Sequence, residues 1–330
     1  MELSAAFATT LQTPDHVKIA EDLGYRRAWL YDTPQQSPDV WMALALAATR
    51  TERIGLGPGV LVPSLRHPMV NAAGAAALAQ LAPDRVAIGF GTGFTGRRAM
   101  GQPKPIPWSY MTAYIGVFRG LLRGETVEWE GARLRMLHSD ESRPPLPLDL
   151  PIYISALGPK GLEIAQELAD GLFVVSSVPA AASGFDDVAY LVYGTVLGEV
   201  EQITDERVRL AGGPGAILTL HAAYETVGAD VVGTLPGGRA WLEVVRAVPE
   251  DVRHLAVHEG HCRYLNAADS AAWDEGGHNL LNDFTLTGTA DQVRAKVERY
   301  LDQGVTELVY QPVGDVHREL EALAAALDGL

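Results

Sequence analysis

The chain has 330 residues, 47% of them hydrophobic and 20% charged, which supplies a sizeable core and excludes global disorder. A formal net charge of −15 argues against a nucleic-acid footprint and against docking on anionic lipid. The single cysteine, Cys262, excludes an internal disulfide and any multi-cysteine zinc or iron–sulfur centre.

Leu3 to Thr9 reads as a first strand. Thr13-Pro14 gives an N-cap and an N1 proline to a helix whose face, Val17, Ala20 and Leu23, stops at Gly24. Ala28 to Tyr31 is a second strand, and Ser37-Pro38-Asp39 caps a helix running to about Arg50. Ile54 to Val62, interrupted by Gly57-Pro58-Gly59, is a third strand, and His67-Pro68 opens an alanine-rich helix ending near Pro83. Arg85 to Gly89 is the fourth strand and Ser109 to Arg123 the fourth helix. Residues 126–150 break this rhythm. Val127 to Leu134 patterns as a hairpin, and the proline-rich stretch from Arg143 to Pro151 as a connecting loop. Pro151 to Ser155 resumes as a fifth strand, and Gly158-Pro159 opens a fifth helix with Leu162, Ala165 and Leu168 on one face. Gly171 to Val175 and Ala189 to Leu197 are the sixth and seventh strands, followed by about a hundred mostly helical residues. Thr289-Ala290-Asp291-Gln292 has capping-box spacing for a helix ending at Gly304; Thr306 to Gln311 is the eighth strand, and an Ala/Leu-rich helix closes the chain.

Eight continuous apolar strands alternating with helices predict parallel pairing through right-handed crossovers. A closed (β/α)8 TIM barrel and an open doubly wound sheet both fit; the count of eight and the length favour the barrel. No linker divides the chain, so the expectation is one barrel domain over 1–330 with insertions near 125–150 and 205–285. No apolar run reaches the ~18 residues of a membrane span, and Met1-Glu2-Leu3-Ser4 lacks the basic start of a signal peptide, so the expected setting is the cytoplasm.

Gly91-Thr92-Gly93-Phe94-Thr95-Gly96 matches G-x-G-x-x-G after a strand, which alone would suggest a dinucleotide fold. The following Arg97 to Pro103, with Pro105 and Pro107, does not read as an opening helix, and no acidic residue lies about 20 positions on to meet a ribose. The glycines are better read as a loop that lets backbone approach a flat ligand, or as an ordinary turn.

In a barrel, chemistry sits where the strands end. That rule selects Thr9, Asp32-Thr33, Gly59-Val60, Thr92-Gly93, Ser155-Ala156, Ser176-Ser177 and Gln311, a set poor in ionisable groups. His-x-His is absent from the first strand, G-x-S-x-G is absent altogether, and no carboxylate pair stands at the strand ends. A mouth of Gly, Ser, Thr and backbone suits a cofactor that brings its own reactivity.

Four segments in order, Thr51 to Val60 running on to Arg66-His67-Pro68, Arg85 to Gly93, Leu168 to Gly171, and Gly288-Thr289 through Gly304-Val305, resemble the bacterial luciferase-like superfamily. That superfamily holds FMN-dependent monooxygenases and coenzyme F420-dependent oxidoreductases. The resemblance covers most of the chain and thins between about 178 and 285. It implies a (β/α)8 barrel with an isoalloxazine or deazaflavin ring at the carboxyl mouth, over a third-strand bulge that often carries a non-proline cis peptide, here Gly59-Val60. It also places cofactor contacts at Asp32, Thr33, Gly59, Val60, Thr92, Gly93 and Ala156. F420-using relatives commonly have Asp-His where this chain has Asp32-Thr33.

For the phosphate end, Gly158-Pro159-Lys160-Gly161 opens a helix whose free N–H groups favour an anion, and Lys160 is one of only four lysines; a capped helix with a solvated lysine is the plain alternative. Arg97 and Arg98 are further candidates for an anionic tail, or simply exposed. His67 reads as a helix cap. His258 and His261 lack a clear third ligand, so no metal is expected, and His261 reads as pocket lining. His221 and Tyr224 read as core or pocket wall, and His278 as a loop residue. The catalytic candidates are His261 and Asp32.

The expected function is a flavin- or deazaflavin-dependent oxidoreductase acting on a small organic substrate. It uses either F420 for hydride transfer, or FMN, reduced by a separate reductase, for oxygenation. The alternatives are a barrel enzyme acting on a phosphorylated small molecule, and a flavin-binding barrel without chemistry. A homodimer packed through the helices at 42–48 and 72–79 is expected.

Overall fold

The computed structural model describes residues 1–139, 141–142 and 144–330. Arg143, where the proline-rich loop was expected to begin, lies outside the described residues. Among the described residues ten strands follow in chain order: β1 (Glu2–Phe7), β2 (Arg27–Leu30), β3 (Gly55–Pro58), β4 (Ile88–Phe90), β5 (Val127–Trp129), β6 (Ala132–Leu134), β7 (Ile152–Ser155), β8 (Gly171–Val174), β9 (Val188–Tyr193) and β10 (Glu307–Gln311). Strands β5 and β6 form a separate antiparallel hairpin. The other eight are parallel, in the order β3-β2-β1-β10-β9-β8-β7-β4. Parallel bridges Leu56↔Val86 and Leu61↔Phe90 join the two ends of that series, so the sheet closes into a barrel. Closure excludes the open doubly wound sheet.

Alternation explains why the strands read as unbroken apolar runs. In β1, Ala5 and Phe7 pack outward on helices while Ala6 points into the barrel; in β2, Ala28 and Leu30 face out and Trp29 in; in β9, Val188, Tyr190 and Val192 oppose Ala189 and Leu191. Both faces are buried, so both are apolar. The interior is filled by Trp29, whose ring meets Tyr153 at 5.2 Å and Phe173 at 5.3 Å edge-on. Beneath it Glu307, fully buried, accepts from Trp29 Nε1 (2.9 Å) and Arg27 (3.0 Å).

Local caps set the helix starts. Asp39 accepts from the backbone N–H groups of Trp41 and Met42 to open Val40–Ala48, and His67 Nδ1 accepts from Met69 N–H (3.1 Å) to open Pro68–Leu81. Thr289 and Gln292 complete the expected capping box. Thr13, by contrast, is not a cap. Gln12 holds that position, and the Thr13 hydroxyl instead accepts from Thr10 N–H (2.7 Å), tightening the preceding turn. The G-x-G-x-x-G run does open a helix, the five-residue Phe94–Arg98, because Gly93 takes a left-handed φ of +76° and Arg97 folds back to Ser64 Oγ (2.7 Å) and the Lys104 carbonyl (2.8 Å). The seventh strand stops at Tyr193 rather than Leu197, because Gly194 (φ +142°) turns the chain directly against the Leu286 backbone.

Between β9 and β10 the helices Glu206–Thr226, Gly238–Ala247 and Ala267–Asp274 pack around a second core that includes Val208, Ile217, Leu220, Trp241, Val245 and Trp273. The two strands of chain entering and leaving this insertion are tied by Leu286 N–H to the Tyr193 carbonyl (2.6 Å), Leu197 N–H to the Gly288 carbonyl (2.8 Å) and the bridge Val196↔Gly288. Among the described residues no helix is long and apolar enough to cross a membrane.

Candidate active site at the carboxyl rim of the barrel

On the β3–β4–β7 side the rim is made of small residues. The Gly59-Val60 peptide is cis. Val60 lies against Gly89 and Gly91: a Cβ on Gly91 would stand 2.6 Å from Val60 Cγ2, and one on Gly89 3.0 Å from Val60 Cγ1. Ser155 Cβ lies 3.8 Å from the same Gly91 position, so Val60, Gly91 and Ser155 form one surface. Thr92 follows, half-buried, its carbonyl accepting from Ile106 N–H (3.0 Å), and then Gly93. At the end of β7, Ala156 leads to Gly158 and the helix Pro159–Leu168. Gly161 has to be glycine, because a Cβ there would sit 2.4 Å from Trp108 and 3.0 Å from Ala156. A Cβ on Gly158 would meet nothing within 4 Å, so open space lies beside this helix start. Lys160 stands there 65% exposed and pairs with Glu163 at 3.0 Å. A floor without side-chain bulk, leading to an open helix N-terminus with a lysine beside it, fits a flat ring with a phosphorylated tail.

Asp32, at the end of β2, is buried and accepts from Arg66 at both oxygens (2.6 Å each); Arg66 also reaches Asp39 (2.7 Å). Burial pushes the Asp32 carboxyl above its ordinary value, against the opposing pull of the Arg66 guanidinium. Thr33 donates to Ser37 Oγ (3.2 Å), and its carbonyl takes the Gln36 and Ser37 N–H groups.

The opposite side of the mouth is covered from above. Gln311, at the end of β10, donates to the Cys262 carbonyl and accepts from Tyr31 (2.6 Å); Cys262 Sγ lies 3.9 Å from the Tyr193 hydroxyl. Burial raises the Cys262 thiol to about 12. The insertion segment around His261 therefore rests on β2, β9 and β10.

Behind Cys262, three histidines converge. His221 Nε2 lies 2.7 Å from Asp269 Oδ1, which also accepts from Trp241 Nε1 (2.9 Å). His221 Nδ1 lies 3.2 Å from His261 Nδ1. His258 Nε2 lies 2.7 Å from Glu225, whose other oxygen meets Arg98 at 3.1 Å; Arg98 in turn covers the Phe94 ring at 4.1 Å. The short helix after β4 is thereby tied to the insertion. Arg97 and Arg98 are both engaged within the protein, correcting the expectation of simple exposure. Beside this cluster a cavity of about 590 Å³ is walled by Val248, Val252 and Leu255 and edged by Gln36, His258 and Arg263. Among the described residues no group of His, Cys, Asp and Glu has metal-binding geometry.

The expected rim residues thus lie in two places. Gly59, Val60, Thr92, Gly93, Ala156, Gly158, Lys160 and Gly161 follow the ends of β3, β4 and β7, Asp32 and Thr33 follow the end of β2, and His261 lies in the insertion beside His221. His221 is more than pocket wall, being hydrogen-bonded to His261 and Asp269. Sequence reading missed Arg66, Glu225 and Asp269. Arg66 lay in plain sight in Arg66-His67-Pro68, but nothing local pairs it with Asp32, 34 residues earlier.

A parallel barrel whose carboxyl rim offers small residues, backbone and an anion-ready helix start suits a cofactor-dependent enzyme. The profile of the luciferase-like monooxygenase family matches residues 6–186, and the chain belongs to that family. Over 324 residues it is 32% identical to an F420-dependent glucose-6-phosphate dehydrogenase of Nakamurella multipartita, covering 94% of this chain and 85% of that one. It is 25% identical over 328 residues to a 5,10-methylenetetrahydromethanopterin reductase of Methanolobus tindarius, covering 92% and 91%. The crystal structure of the coenzyme F420-dependent tetrahydromethanopterin reductase from Methanopyrus kandleri superposes with a TM-score of 0.69 over 99% of both chains at 21% identity, a likeness of fold.

Proposed function

We propose that the chain is an F420-dependent oxidoreductase that exchanges hydride with a small organic substrate. The observation that carries this reading is the end-to-end likeness to F420-dependent relatives, 32% identical over 94% of the chain in one case. The small-residue arc from Gly59 to Gly161 supports it. Bound there, the deazaflavin supplies the hydride carrier.

The chain's residues do the rest. Gly59, Val60, Thr92, Gly93 and Ala156 bound the ring's face, and Thr33 offers a hydroxyl at its edge. Gly158, Lys160 and Gly161 hold the phosphate through backbone N–H groups and an ammonium. Asp32 anchors the Arg66 guanidinium at the rim, and His261 handles the proton. The insertion excludes water from above. The enzyme works as a cytoplasmic homodimer, joined through the helices Val40–Ala48 and Pro68–Leu81, where Met42, Leu46 and Val70 are exposed.

A second reading is FMN-dependent oxygenation with a separate reductase. The family's monooxygenase membership favours it, as does Thr33 standing where F420 relatives commonly carry histidine.

Fluorescence titration of the purified protein with F420 and with FMN separates these readings. Saturable F420 binding without FMN binding is expected. FMN binding alone transfers the assignment to oxygenation. Binding of neither leaves the barrel acting on a phosphorylated small molecule, and binding without turnover on any donor leaves a passive flavin binder. Lys160→Ala should weaken F420 roughly two- to fivefold, the scale of one solvent-exposed charge contact.

A further inference from the structure

The cavity of about 590 Å³ is edged by Gln35 and Gln36 from the loop after β2, by Ala99 at the end of the helix after β4, and by the insertion between Val248 and Tyr264. It therefore lies on the carboxyl side of the barrel, between two rim loops and the insertion. Its volume is that of a small-molecule site.

Among the described residues five buried side-chain polar atoms lack a hydrogen-bond partner, and two of them, Gln35 Oε1 and His258 Nδ1, belong to residues of this lining. His258 is only 4% exposed. Its Nε2 lies 2.7 Å from one Glu225 oxygen, and the other oxygen meets Arg98. The carboxylate accepts, so His258 Nε2 carries the proton. Arg98 already supplies the countercharge, so the ring is neutral and Nδ1 is a lone pair. Both orphaned atoms are thus acceptors, and a buried acceptor draws a donor from whatever enters beside it. Gln36 cannot serve, because its amide donates to the His258 carbonyl (2.6 Å).

The rest of the lining is apolar or balanced in charge. Val252, Leu255 and Tyr264 are 39%, 55% and 50% exposed, and all three border this one cavity. Single exposed apolar residues are ordinary, whereas three around one hollow mark a surface that a ligand covers. The charged residues are one of each sign, Glu259 and Arg263, and Arg263 already donates to the Gln36 carbonyl (2.9 Å). No lysine joins them. A phosphate or carboxylate would meet two lone pairs here and no cluster of cations.

We propose that this cavity binds an uncharged amphiphile: an apolar body lying on Val252, Leu255 and Tyr264, and an end bearing hydroxyl or amide N–H donors received by Gln35 Oε1 and His258 Nδ1. Anionic molecules are rejected. Gln35 and His258 set the specificity, and neither belongs to the glycine floor. That this ligand is the substrate rests on the F420 reading; that the cavity binds it does not.

Calorimetric titration of the full chain without cofactor tests the pocket, with hexane-1,2-diol as the uncharged probe and hexyl phosphate as the anionic one. Saturable binding of the diol and none of the phosphate is expected. Gln35→Met keeps the length of the side chain and removes the acceptor. It should weaken diol binding roughly three- to tenfold, the scale of one neutral hydrogen bond. The ligand-free Tm should stay level or rise, because the oxygen removed had no partner. Leu255→Ser, at an exposed position, should weaken diol binding with the fold intact. In ring 15N spectra His258 should be the Nε2–H tautomer, and its Nδ1 resonance should move on adding the diol. The proposal is overturned by absent diol binding, by tighter binding of hexyl phosphate, by a proton on His258 Nδ1, or by diol affinity unchanged in both variants. F420 titration separates the two claims. Gln35→Met should leave F420 affinity unchanged; an equal loss for F420 and the diol gives the cavity to the cofactor and overturns the proposal. If F420 fails to bind while the diol results hold, the redox reading falls and the pocket stands.

Discussion

At Glu307 one carboxylate, shut off from water, accepts from Arg26, Arg27 and Trp29. Replacing it with Gln leaves the Arg27 guanidinium buried without an anion, and should cost about 3–5 kcal/mol in denaturant unfolding. Cys262 makes the opposite kind of statement. Its thiol is buried and raised to about 12, so a disulfide reagent at pH 8 should find no thiol in the native chain and one after unfolding. His261 links site to stability. Its folded value lies below the unfolded value near 6.5, so the unfolded chain binds the proton first and stability falls as pH drops below about 6.5. His261→Gln should flatten that acid slope in unfolding measured between pH 7 and 5. What sequence shows at this scale is local: Asp39 and His67 are legible as caps because their partners lie two or three residues on. Glu307 with Arg27, 280 residues away, and Asp269 with His221, 48 away, are pairs that only the closed barrel and the folded insertion create.

The elements were readable wherever burial on two faces or a cap imposed a pattern. All eight barrel strands and the hairpin fell within a few residues of their places. Boundaries failed where a backbone contact from far along the chain intervened, as at Gly194 against Leu286. The helix Phe94–Arg98 escaped because one turn held by Arg97 needs no amphipathic repeat. The insertion was hardest to read, since a helix such as Glu206–Thr226 is buried on several sides and contains Pro214, which blurs its period. The glycine floor gives a test at this scale. Gly91→Ala would place a methyl 2.6 Å from Val60 Cγ2, and valine has little rotamer freedom to yield. Destabilisation of about 1–3 kcal/mol and weaker cofactor binding are expected, read by thermal unfolding and fluorescence titration.

For the whole molecule, the proposed homodimer is measurable. Met42 and Leu46 lie one helical turn apart and are 69% and 46% exposed, with Val70 exposed on the following helix. Light scattering should give twice the 35.4 kDa chain mass, and Leu46→Glu should give the monomer with its fold intact. The neck of the insertion carries a different consequence. Because Tyr193, Val196, Leu197, Leu286 and Gly288 are laced together, the stretch beyond them begins and ends at nearly the same point. A segment that enters and leaves at one neck and has its own apolar centre could be exchanged by a short splice, provided the replacement restored its seats on Gln36, Arg98 and Gln311. On the proposed reading, the roof over the mouth is then where the choice of molecule is made, apart from the glycine floor that would carry the cofactor.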